Sequence, residues 1–187
     1  MNVGEEICGE WLRHKKNCAF VQYGVKTQDQ GEIDVLGLDV DRRHVYACEV
    51  ATHLGGLQYV NTKESRPDNV KRLTGKFGRD IEYIGKYFRG YSQTFMFWAP
   101  VVRESRSTAK NNQSTDVQEF VRAIQTRFGI CIETVVNDQY QSALNDLRQV
   151  ARETTAAFDA SDVMRYLQIE ERLSKHLQNL KKQKSKA

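Results

Sequence analysis

Two runs of strand composition, GEIDVLGLD from Gly31 and HVYACEVA from His44, are separated only by the polar stretch Val40 to Arg43. So short a connection makes an antiparallel hairpin the simplest arrangement for them. With those four residues as the loop, Asp39 stands opposite His44, and the same register brings Asp34 opposite Glu49. Directly opposed residues have Cβ atoms about 4.5–5.5 Å apart, so two carboxylates there repel. A divalent cation held by both offsets the repulsion, because a hard ion such as Mg²⁺ uses one or two carboxylates together with water and a substrate phosphate. So does an acid turned to water, or a register shifted by one so that the acids point to opposite faces. The neighbours favour the shared cation. Glu32, Asp34, Leu36 and Leu38 occupy one face of the second strand, and Val45, Ala47, Glu49 and Ala51 the same face of the third. That face is apolar and is expected to lie under the first helix, where acids do not sit without a partner or a metal. Glu5 and Glu6 in that helix would bring a further carboxylate over the same spot, although acids in a first turn also serve the helix dipole.

The remaining elements follow from periodicity. Val3, Ile7, Trp11 and Leu12 recur at helical spacing, and Cys18 to Lys26 reads as a first strand. Pro67 suits the first turn of a long helix along which Val70, Leu73, Phe77, Ile81, Ile84 and Phe88 form a stripe. TFMFWAPVV reads as a strand buried on both faces, Val117 to Arg127 as a helix, and GICIETVV as a fifth strand. From Gln139 to Lys182 the chain is helical, broken near Phe158 to Ser161. The expected fold is α/β: a mixed β-sheet with a meander at its front, flanked by helices and followed by extra C-terminal helices. Residues 1–136 form the α/β core, and residues 137–187 a helical extension with a basic tail in the same compact unit.

Composition excludes several classes of function. No apolar run approaches the roughly 20 residues that span a bilayer, and the N-terminus is acidic where a secretory signal is basic. Cys8, Cys18, Cys48 and Cys131 form no CxxC pair, and the four histidines share no ligand spacing. Gly55 and Gly56 lack the GK[ST] of a phosphate loop, and no GxSxG is present. The expectation is a reduced, cytoplasmic protein with no membrane partner. The net charge is +4, but the last thirteen residues carry five lysines and no acid, so the rest of the chain is slightly acidic. A local basic excess lies inside the fold, between Lys63 and Arg89.

GEEICGEWL, GEIDVLGLD and VYACEVATH, taken in order, resemble the motif series of the PD-(D/E)XK nuclease superfamily, and in particular its small Holliday-junction-resolvase-like members. The resemblance covers about the first 53 residues. It implies a restriction-endonuclease-like fold and a metal-dependent nuclease that hydrolyses DNA phosphodiester bonds with a metal-activated water. Glu5 matches the family's helical glutamate, Asp34 the aspartate of the metal site and Glu49 the first acid of its ExK element. Mg²⁺ or Mn²⁺ would be held by Asp34, Glu49 and the backbone carbonyl of Val50. Where the family carries the lysine of that element this chain has Ala51. Some relatives supply the lysine from the following helix, and there Lys71 lies nearer the border of the apolar stripe, where a long stem can cross apolar surface. It is the expected replacement, with Lys63 and His53 behind it.

Arg72, Lys76, Arg79 and Lys86 centre opposite the stripe, on a solvated face. With Lys63 and the tail, Arg72, Lys76 and Arg79 would give sequence-independent contacts to DNA phosphates. The alternative reading is a catalytically impaired protein of the same fold, a nucleic-acid- or protein-binding subunit of a repair or defence complex. Leu144, Leu147, Val150 and Ala151, then Val163, Tyr166, Leu167, Glu170, Leu173 and Leu177, continue a helical stripe past the core. It must bury against its own sheet or against a second copy, the latter giving a homodimer.

Overall fold

The computed structural model describes residues 1–27, 31–57, 59–61, 66–105 and 112–184. Lys63 lies outside the described residues. The chain forms α1 (Val3–Lys15), β1 (Phe20–Lys26), β2 (Glu32–Asp39), β3 (His44–Val50), a short ribbon of β4 (Val60–Asn61) and β5 (Arg66–Pro67), α2 (Asn69–Tyr87), β6 (Ser92–Ala99), α3 (Gln113–Phe128), β7 (Ile132–Val136), α4 (Asp138–Glu153) and α5 (Asp162–Lys184). Pro67 therefore ends β5, and α2 begins two residues later, behind Asp68.

Five strands make one mixed sheet in the order β1-β2-β3-β6-β7. The first three form an antiparallel meander, and β6 and β7 add in parallel to β3. Asp39 pairs with His44 and Val35 with Cys48, the register expected from the four-residue loop. Parallel neighbours need crossovers, and their right-handedness puts α2 and α3 on one face of the sheet. There Leu73, Phe77, Ile81 and Ile84 of α2 and Phe120 and Ile124 of α3 pack on Leu36, Val45, Ala47, Phe95 and Phe97. The opposite face carries α1 and α4, where Cys8, Leu12, Tyr140 and Ala143 close over Val35, Cys48, Val50, Met96 and Trp98. Helix α1 thus covers the face opposite the one expected for it. Gly4 is what lets its first turn lie so close to the sheet, since a Cβ there would stand 2.1 Å from Thr52 Cγ2.

Helix α4 is accordingly part of the second layer, and α5 packs on α4 through Met164 and Leu167 against Leu147 and Ala151. Glu6 fastens the start of α5 to α1: its Oε1 accepts from Ser161 Oγ at 3.0 Å and from the Val163 amide at 3.1 Å. Among the described residues no helix is long and apolar enough to cross a membrane. Cys8, Cys18 and Cys48 are buried free thiols, and Cys131 is exposed.

Candidate active site

The ladder between β2 and β3 stops at Val35–Cys48, one pair short of Asp34 and Glu49. On the other side of β2 the register passes from Tyr23–Val35 to Val25–Ile33, leaving out Asp34 and Gly24 opposite it. Gly24 has φ of 61°, in the left-handed region that a glycine enters without steric cost. Asp34 is released from both ladders by this irregularity, and its Oδ2 accepts the backbone N–H of Val50 at 2.8 Å. The two acids do not oppose one another across a regular ladder, but they converge on the same cation.

That cation is Lys76 of α2, ion-paired with Glu49 Oε2 and 3.5 Å from Asp34 Oδ2. Lys71 is exposed, as are Arg72 and Arg79. The expectation that Lys76 belongs to a solvated face is therefore corrected: its stem runs over the apolar layer and its ammonium enters the site, the behaviour sought for Lys71. The cause is the layer order. The acid-bearing face of β2 and β3 lies beneath α2, so the compensating charge comes from that helix. Glu5 is engaged elsewhere, accepting from the Asn2 backbone N–H at 3.0 Å and from Asn2 Nδ2, the far half of a capping box. Glu6 holds α5. His53 stands edge-on to Tyr59, with ring centroids 6.1 Å apart.

Two further residues belong to the site. Asp80, one turn beyond Lys76, is 2% exposed on the buried face of α2. Burial pushes its carboxyl up to about 7, with Asp34 adding to the rise while a hydrogen bond with Glu49, Lys76 and Arg79 oppose it. Glu49 is also held well above the ordinary carboxylate range, first by burial and then by Asp80 and Asp34 against the pull of Lys76. For Lys76 burial works downward, but Glu49 and Asp34 outweigh it and the ammonium titrates above its ordinary range. Tyr59 lies beside these groups, its phenol raised mainly by burial. Two carboxylates thus pair with one ammonium while a third, Asp80, is buried nearby, and both Glu49 and Asp80 are pushed upward because an excess of buried negative charge is costly.

The donor set suits a hard dication. The Glu49 carboxylate is buried, with Oε2 ion-paired to Lys76 and Oε1 making no ion pair. With Asp34, Glu49 offers two carboxylates beside the backbone of Val50, the number that Mg²⁺ uses when water and phosphate complete its shell. Among the described residues no group of three or more His, Cys, Asp or Glu side chains is arranged to enclose a metal. No protein-family model matches the chain, and no curated protein matches it.

Proposed function

We propose that the protein is a metal-dependent deoxyribonuclease with a restriction-endonuclease-like core. The observation that carries this reading is the convergence of Asp34, Glu49 and Lys76, with the lysine supplied by α2 in place of the residue at Ala51. Asp34 and Glu49, with the carbonyl of Val50, are the residues that would hold Mg²⁺ or Mn²⁺. When bound, such an ion polarises a phosphoryl oxygen and lowers the pKa of a water molecule. The Val50 amide fixes the Asp34 carboxylate, so this ligand is oriented before substrate arrives. Lys76 gives the site a fixed positive charge where negative charge develops on the phosphate, a role in which one preorganised donor is worth roughly 10²–10³ in rate. Asp80 accepts or holds a proton beside Glu49 as the charge of the site changes. Arg72 and Arg79, exposed on the same helix, are available for phosphates flanking the cut.

The test is cleavage of supercoiled plasmid and of branched DNA with Mg²⁺ or Mn²⁺, against EDTA. We expect metal-dependent nicking, a loss of about 10²–10³ in rate for Lys76→Ala, and near wild-type activity for Lys71→Ala. DNA binding without cleavage in either metal would instead favour the second reading, a binding subunit, which the exposed basic residues of α2 also support.

A further inference from the structure

Helix α5 leaves the body of the protein halfway along its length. Met164, Leu167 and Gln168 are buried against the body, whereas every residue from Arg172 to Lys184 is exposed. Along one side of the helix run Tyr166, which also borders a cleft lined by Val3, Ile7 and Leu144, and then Ile169, Leu173, Leu177 and Leu180, between 39% and 66% exposed. At 3.6 residues per turn these five stay within about 40° of the line through Leu173 and form one apolar seam about 21 Å long. A seam of this kind, on a helix otherwise rich in charge, calls for a covering surface.

The spacing of the seam identifies that surface. Its steps are three, four, four and three residues, which read the same in both directions about Leu173. A second copy of α5 running antiparallel about a two-fold axis at Leu173 therefore places Tyr166 against Leu180, Ile169 against Leu177 and Leu173 against itself. The steps fit an 11-residue period, which drifts from a straight helix by about 20° in 11 residues and so asks of two paired helices only a slight right-handed supercoil over this length. The ends of the seam agree. Asp162 and Lys184 lie on the same line of the helix, so the antiparallel pair sets each aspartate beside the partner's lysine. A parallel pair sets aspartate on aspartate and lysine on lysine, which is unfavourable. We infer that α5 is a self-association element through which two copies of this chain pair antiparallel about Leu173. The contact is isologous, as a two-fold interface must be, and it is independent of the reading of the Asp34 site.

The association is tested on the full chain by light scattering across a concentration series, with far-ultraviolet circular dichroism as the control on folding. Wild type is expected to become a dimer with rising concentration, and Leu173→Glu to remain a monomer with unchanged helicity, since residue 173 is exposed. Orientation is read by cross-linking in a Cys131→Ser background, which removes the one exposed cysteine among the described residues. Helices packed 8–10 Å apart, each with Cα atoms about 2.3 Å from its axis, bring facing Cα atoms to about 4–5 Å, within reach of a disulfide. Leu173→Cys should link to itself on mild oxidation. Ile169→Cys should link to Leu177→Cys when the two variants are mixed, and poorly to itself. A wild type that stays monomeric across the concentration series would overturn the inference. So would ready self-linking of Ile169→Cys.

Discussion

Lys76 and Asp80 stand four residues apart on α2, about 40° from one another around the helix, so one face of that helix brings both a cation and a buried acid to Glu49. Asp80 is an acid set among Leu73, Phe77, Ile81 and Ile84, and its raised carboxyl has a measurable consequence. Its folded-state value is about 7 against an ordinary 3.8. Between those limits the folded protein holds a proton that the unfolded chain has released. The associated stability is complete below pH 4 and is lost as pH rises through 7, by at most about 4 kcal/mol at 1.36 kcal/mol per pH unit. Asp80→Asn should therefore flatten the pH dependence of the urea midpoint in metal-free buffer and be the more stable protein at pH 8. Parallel profiles for the two proteins would refute the assignment. The acids at 34 and 49 were legible in the sequence because the hairpin loop sets their register. Lys76 was not, because the helical wheel drawn through the apolar residues alone leaves it outside. Counting Asp80 as part of the buried stripe moves the stripe's edge toward Lys76, and a buried acid is a sign that polar partners lie close by. That was the signal available.

At the scale of elements, the order of helices and strands follows from periodicity, but the face each helix covers does not. Both faces of β2 and β3 are apolar enough to accept a helix, so alternation within the strands cannot assign α1 to one of them. The handed crossovers from β3 to β6 and from β6 to β7 decide it by placing α2 and α3 together. Helix α1 then closes the other face with α4, and its acids take structural duties. Glu6 is the clearest case, capping the first turn of α5 through Ser161 and Val163. Glu6→Ala leaves these donors without their acceptor and should cost about 1–3 kcal/mol in chemical denaturation. Glu6→Gln keeps an oxygen acceptor and should remain within about 1 kcal/mol of wild type. Equal losses for the two would show that the carboxylate's charge, and not its acceptor geometry, holds α5 in place.

Across the whole molecule, two apolar layers clamp a sheet whose middle strand, β3, carries the buried Glu49 between them. The irregularity at Gly24 and Asp34 opens the sheet at the point where α2 delivers its lysine, so the site forms where strand pairing lapses. The hairpin reading brought Asp34 and Glu49 together, whereas the helices after residue 137 gave only a stripe that had to be covered. The structure divides the stripe, burying its first part in the second layer and leaving the rest along α5 exposed. If Asp34 and Glu49 form a site for a divalent metal, heat unfolding in a Mn²⁺ series will register it. An ion that binds only the folded state raises stability by RT ln(1 + [L]/Kd). The melting temperature of wild type should climb with Mn²⁺ and that of Asp34→Ala should stay level. An equal climb in both proteins would contradict the two-carboxylate site.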